Sequence, residues 1–241
     1  MAVAAIVLAG GAGSRVRKNV NKVYLPVRDR DILAYSLETL TRSPRIARVV
    51  LVVREEDRGH AELLAVETIA SKPSNVVIGG PSRHLSEFAG ISALADQIES
   101  GAIEIVAIHD GARPFMTHDL LDRLLDAAVV HGGAIPGLPI EAPLYRATSD
   151  GLKMLPSLDL RKVQTPQVFQ ARLLLAAYEA AAAEGFEGVN TAETVERFSD
   201  LKVKVIPGDP RNIKITVVED LFAAEEYALD WDMGGWVKSR E

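Results

Sequence analysis

The sequence predicts an α/β protein with a doubly wound, mostly parallel sheet. Three observations point there. Short stretches rich in Val, Ile and Ala alternate with stretches of helical periodicity. These short stretches are apolar on both faces, as strands covered by helices on both sides must be. The first of them ends in glycines, and a glycine turn after a strand lets backbone amides approach a ligand.

In chain order, MAVAAIVLAG has no basic residues ahead of its apolar run and reads as a buried first strand at 4–9 rather than a signal peptide. ILAYSLETL repeats Ile32, Leu33, Leu37 and Leu40 at helical spacing. Further strands are expected at 49–53, 76–78, 103–108 and 133–138, with helices at 61–70, 86–98 and 118–130 between them. After Pro139 the rhythm breaks, and 139–164 reads as a projecting arm with two short extended stretches. Helices return at 172–184 and 191–198. A strand pair, KVKVIP and NIKIT, precedes a last helix from Val218 to about Leu229. Residues 1–229 make one domain. The tail 230–241 is expected to be irregular, with its two tryptophans packing on a neighbour.

Composition narrows the function. The 241 residues are 48% hydrophobic and 25% charged, with a net charge of -6. That is ordinary for a soluble globular protein and argues against a nucleic-acid binder with a basic face. The absence of cysteine excludes disulfides and thiolate metal sites and fits a cytoplasmic setting. None of the five histidines shows the i, i+4 pairing of a helical zinc site. No apolar run approaches the roughly 18 residues of a membrane span.

The segment VLAGGAGSRVRKNVNKVYLPV, Val7 to Val27, combines Gly10, Gly11 and Gly13 with the cations Arg15 and Lys22. Small residues admit phosphate oxygens to backbone amides, and cations neutralise them. The pattern is neither the P-loop nor the dinucleotide fingerprint. A tight turn with solvated charges is the plainer alternative. In GGPSRHLSEFAGI, Arg83 and Ser86 share a helical face while Leu85, Phe88 and Ile91 can meet the core. In IHDGARPF, Asp110 follows a buried strand at the edge where these sheets place ligands, and a carboxylate there suits Mg²⁺. VQTPQVF and GDPRNIKIT complete the set; singly they read as a polar loop and as a strand with a solvated lysine.

Together, in this order, these motifs resemble the 2-C-methyl-D-erythritol 4-phosphate cytidylyltransferase family and its ribitol-5-phosphate relatives, over nearly the whole chain. The resemblance implies a Rossmann-like nucleotidyltransferase fold, CTP and a polyol phosphate as substrates, Mg²⁺, a role in isoprenoid precursor synthesis, and a homodimer that exchanges the arm 139–164. It also implies residue roles. Arg15 and Lys22 would meet the triphosphate, with Lys214 near the reacting centre. Ala9, Gly10, Gly11, Gly13, Gly80, Arg83 and Ser86 would form the nucleotide pocket. Asp110 would bind Mg²⁺, helped by Asp209 or Asn212. Arg113, Thr165 and Gln167 would serve the acceptor side.

The sequence departs from the family at several places. Asn21 replaces the proline of the usual Pro-Lys pair. Ala142 and Pro143 stand where Asp-Thr is usual, and Ser157 where an arginine is usual. Val189, Asn190 and Thr191 replace a Thr-Asp-Asp/Glu run. Three readings stay open: a methylerythritol-phosphate enzyme with a rebuilt arm, the same chemistry on ribitol 5-phosphate or another acceptor, and a non-catalytic nucleotide-binding regulator. A nucleotide-sugar glycosyltransferase is disfavoured, because DRD at 29–31 and DWD in the tail read as surface turns.

Overall fold

The structure is a computed structural model that describes residues 1–11, 21–69, 71–156 and 160–232. Its strands are β1 (Val3–Leu8), β2 (Pro26–Val27), β3 (Arg30–Asp31), β4 (Ile46–Val53), β5 (Ser74–Ile78), β6 (Ile105–Asp110), β7 (Gly133–Pro139), β8 (Leu144–Thr148), β9 (Gly151–Leu155), β10 (Arg161–Val163), β11 (Gln167–Gln170) and β12 (Lys204–Pro207). The helices are α1 (Ile32–Arg42), α2 (Arg58–Ile69), α3 (Arg83–Ser92), α4 (Ala95–Glu99), α5 (His118–His131), α6 (Ala171–Glu184), α7 (Thr191–Arg197) and α8 (Glu219–Asp232).

The main sheet runs β10-β7-β11-β6-β1-β4-β5, with β12 added on β7. β1 is parallel to both β4 and β6, and β4 to β5, so their carboxyl ends share one edge. From β1 the chain winds outward through β4 and β5, then returns to start β6 on the other side of β1. That reversal opens a crevice where such sheets hold ligands.

Alternation along the strands divides the core. Val3, Ala5 and Val7 of β1 pack with the apolar faces of α1, α2 and α5. Ala4 and Ile6 face the other way, onto residues of α3, α6 and α7 such as Ile91, Leu174 and Val195. The doubly wound sheet is therefore as the sequence predicts.

Four expectations change. The helix over 86–98 divides into α3 and α4. The QTPQ motif does not lie wholly in a loop: β11 starts at Gln167 and inserts antiparallel between β6 and β7. NIKIT forms no strand. Ile215 is fully buried there with its N–H on the Ala112 carbonyl at 2.9 Å, so the segment lies against the β6 loop instead of pairing with β12. The last helix runs on to Asp232, and Trp231 packs on Tyr35 and Phe115 of its own chain rather than on a neighbour. Trp236 lies outside the described residues.

Within the expected arm 139–164, β8 and β9 form a separate hairpin, while β10 returns to the main sheet beside β7. No helix among the described residues is long and apolar enough to cross a membrane.

Candidate active site

The carboxyl edge of β1, β5 and β6 opens onto a cleft of about 320 Å³. Gly10 and Gly11 bring the first turn to it, Gly80, Arg83 and Ser86 the start of α3, and Asp110 the end of β6. Lys22 and Lys214 also line it.

The glycines divide into two kinds. A Cβ on Gly79 would lie 2.7 Å from Ser86 Oγ, and one on Gly80 would collide with the Leu85 Cβ, so packing alone demands glycine at both. Among the described residues, a Cβ on Gly11 would meet nothing within 4 Å, and one on Gly10 only ordinary contacts from 3.8 Å. Neither has a positive φ. No packing among the described residues requires glycine at 10 and 11, and a bare backbone there suits close approach of a ligand.

Asp110 is the electrostatic centre and is 5% exposed. Arg83 Nη1 donates to its Oδ1. Lys214 Nζ stands 2.9 Å and Arg113 Nε 3.4 Å from its Oδ2. Burial would push this carboxyl up, but Arg83, Lys214 and Arg113 outweigh it and hold the group well below the usual carboxylate range. Arg113 also donates to the Asn212 carbonyl at 2.8 Å. Behind Arg83 lies the fully buried Glu87. Its Oε1 is 3.1 Å from Arg83 Nε, an ion pair without the alignment of a hydrogen bond. Tyr178 Oη and Thr191 Oγ1 donate to Glu87 at 2.5 and 2.9 Å, tying α3 to α6 and α7. Burial pushes the Glu87 carboxyl up, while Arg83 and these hydroxyls oppose the rise.

A neutral relay fixes the Asp110 backbone. His109 Nε2 lies 3.1 Å from the Arg113 carbonyl, which can only accept, so Nε2 carries the proton. Nδ1 then accepts from Thr165 Oγ1 at 3.2 Å, and Thr165 Oγ1 accepts the Asp110 N–H at 3.0 Å. Burial pulls the His109 imidazole down to about 4, so it stays neutral. Gln164 joins the next loop, donating to the carbonyls of Asp209 and Asn212 at 2.8 and 3.0 Å.

The donor set does not make a cage for a bare metal ion. Both Asp110 oxygens already face cations, and both Asp209 oxygens accept from Arg211 at 3.1 and 2.9 Å. No cluster of three or more His, Asp or Glu side chains suited to a metal stands among the described residues. A Mg²⁺ ion here would have to take most of its oxygen ligands from phosphates.

The structure brings together Gly10, Gly11, Lys22, Gly80, Arg83, Ser86, Asp110 and Lys214. Ala9 is buried just behind the turn, its N–H on the Val52 carbonyl at 2.7 Å. Gly13 and Arg15 lie outside the described residues, as does Ser157. Thr165 and Gln167, expected on the acceptor side, are both buried, Thr165 Oγ1 between His109 and the Asp110 N–H and Gln167 Oε1 accepting from the Ala192 N–H at 3.0 Å. Arg113 is also turned inward, onto Asp110. Glu87 escaped the sequence reading, although its i, i+4 spacing from Arg83 was visible. There Asn21 stands only as a departure from proline, and His109 only as a letter of the IHDGARPF motif.

The sheet with its crossing helices and projecting arm is a Rossmann-like nucleotidyltransferase fold. A family model described as "2-C-methyl-D-erythritol 4-phosphate cytidylyltransferase" matches residues 3–229. A protein of that name from Geobacillus kaustophilus is 39% identical over 92% of this chain and 94% of its own. Another from Caldanaerobacter subterraneus is 36% identical over 93% and 98%. The crystal structure of 4-diphosphocytidyl-2C-methyl-D-erythritol synthase from Anaerococcus prevotii superposes with a TM-score of 0.82 at 29% identity, covering 94% of this chain and 98% of that one. The chain belongs to the 2-C-methyl-D-erythritol 4-phosphate cytidylyltransferase family. Membership implies nucleotidyltransferase activity of that type.

Proposed function

We propose that this protein transfers CMP from CTP to 2-C-methyl-D-erythritol 4-phosphate, giving 4-diphosphocytidyl-2-C-methyl-D-erythritol and pyrophosphate. The observation that carries the reading is the cationic cleft beside a glycine turn: Arg83, Arg113 and Lys214 gather around Asp110, with Glu87 behind Arg83, and Lys22 lines the same cleft. Such surplus positive charge suits a polyanionic nucleotide. A phosphate oxygen of the acceptor attacks the α-phosphorus in line. The new P–O bond forms as the α–β bridging P–O bond breaks, and its electron pair leaves with pyrophosphate. A phosphate monoester needs no activating base, so the chain's task is positioning and charge stabilisation. Lys22 and Lys214 neutralise charge growing on the phosphoryl oxygens, with Arg15 as a third cation. Gly10, Gly11 and the Gly80–Ser86 turn hold the nucleotide, and Arg83 braces it against Asp110. The arm 139–164 exchanges across a homodimer to complete the acceptor side.

Ala142 and Pro143 are exposed at the root of the arm, where a different polyol phosphate would be selected. The test is pyrophosphate release from CTP with methylerythritol 4-phosphate and ribitol 5-phosphate offered in parallel. Turnover with the first is expected. Turnover only with ribitol 5-phosphate would move the assignment to that acceptor, and CTP binding without turnover would favour the regulatory reading.

A further inference from the structure

Asn21 is 1% exposed, and a buried amide must have its hydrogen bonds met. Its Nδ2 donates to the Ala9 carbonyl at 2.5 Å and to Asp57 Oδ2 at 2.9 Å. Its Oδ1 accepts the Val23 N–H at 3.4 Å. Asp57 is gripped in turn by Arg54, Nε to Oδ2 at 2.7 Å and Nη2 to Oδ1 at 2.9 Å. Ala9 directly follows β1 and Arg54 directly follows β4, and the Ala9 N–H bonds across to the Val52 carbonyl at 2.7 Å. One side chain thus ties the segment after the glycine loop to the ends of two adjacent central strands.

Lys22 is the next residue. Asn21 opens a short 3-10 turn, Lys22–Tyr24, whose bonds run from the Tyr24 N–H to the Asn21 carbonyl at 3.0 Å and from the Leu25 N–H to the Lys22 carbonyl at 3.1 Å. The lysine backbone is therefore held one bond away from the clamp.

We propose that Asn21 is a positioning residue for Lys22, acting with Asp57 and Arg54 as a side-chain clamp that does by hydrogen bonding what a proline ring would do covalently. The backbone supports the equivalence. Asn21 has φ −67° and ψ 124°, the φ to which a proline ring is locked and an extended ψ it accepts. The two solutions differ in one respect: a proline needs no partner, whereas the amide depends on Asp57. This inference rests on the catalytic role proposed for Lys22.

The test is steady-state kinetics with CTP and the acceptor that turns over, on Asn21→Ala, Asn21→Pro, Asp57→Ala, the Asn21→Pro/Asp57→Ala double variant and Lys22→Ala, with melting curves for each. Asn21→Ala and Asp57→Ala are each expected to lower kcat roughly ten- to hundredfold, as a displaced catalytic group does. The KM for CTP should stay within about threefold, because Lys22 acts on the transition state. Asn21→Pro should recover most of the loss, and Asp57→Ala should cost little more in that background. If Asn21→Ala does not fold, the contrast between Asp57→Ala alone and in the proline background decides. Wild-type kcat in Asn21→Ala beside a dead Lys22→Ala overturns this inference alone. So does an Asn21→Pro enzyme as slow as Asn21→Ala, or an Asp57→Ala loss that persists undiminished on proline. A wild-type protein that neither binds CTP nor releases pyrophosphate overturns the functional reading, and this inference with it.

Discussion

The cleft and the arm are built in opposite ways. Around Asp110 the polar groups are cross-linked and all but the half-buried Arg83 are buried: Arg83, Arg113, Glu87, His109, Thr165 and Gln164 each bond to at least one other element. In the arm nearly every residue is exposed. Tyr145 pairs with Met154 and Ala147 with Leu152, so Tyr145, Leu152 and Met154 share one face of the hairpin, and Leu152 is 73% exposed. A two-stranded hairpin is marginal by itself in water. The cleft carries its own order, while the arm's apolar face is exposed in the single chain. The departures Ala142 and Pro143 fall in the second kind of region, where substitution disturbs little internal packing.

The contrast breaks most sharply at Lys22. Lys22→Ala should leave the fold intact and reduce turnover roughly 10²–10³-fold; wild-type turnover in this variant would remove Lys22 from the chemistry. Next in size is Asp110→Asn, which strands three cations. A loss of about 3–5 kcal/mol is expected, or a melting temperature lower by roughly 6–20 °C. An unchanged melting curve would mean that the charges do not depend on Asp110.

The pH dependence separates two groups. His109 has a folded value lowered to about 4 from 6.5, so the unfolded chain binds the proton first. Its neutral burial costs nothing at neutral pH and destabilises progressively as the pH falls from about 6.5 to 4, by up to about 3 kcal/mol. Asp110 has a depressed folded value, so its contribution is complete above its unfolded value of 3.8 and is lost as the pH falls below that towards the folded value. Denaturant titrations between pH 7 and 4 should therefore show a slope that His109→Gln flattens. An identical slope in the variant would show that another group controls this range.

The arm gives the smallest change in protomer stability. Leu152→Asp with Met154→Asp should shift unfolding of the protomer by no more than about 0.5 kcal/mol per site while weakening self-association measured by sedimentation. A large loss of protomer stability would instead mean that the arm is part of the folding unit.

Much of the fold was legible because it is local. β4, β5 and β7 contain their expected segments, and β1 and β6 overlap theirs, shifted by one and by two residues, since a strand covered on both faces needs an uninterrupted apolar run. α1, α2, α5 and α6 follow from helical periodicity in the same way. β11 was not legible: Gln167 and Gln170 give it no apolar run, and it is a strand because β6 and β7 flank it. NIKIT failed in reverse, having strand composition but no neighbour to pair with. At the site, the motifs marked Lys22, Arg83, Asp110 and Lys214 as chemistry-bearing types, but not which were partners. Thr165 and Gln167 looked available because a sequence does not show burial.

By itself, then, the sequence determined most of the strand-and-helix order, the glycine turn, the cationic residues and the family. These depend on spacing and residue type within short windows. Only the tertiary structure decided that Asp110 is shared by three cations, that Glu87 backs Arg83, that His109 is a neutral strut, and that Asn21 reaches Ala9 and Asp57. Those pairs are 12 to 36 residues apart in the Asn21 clamp and up to 104 apart in the Glu87 contacts. What joins them is the parallel sheet, which sets the ends of distant strands side by side, so their energies exist only once the chain has folded.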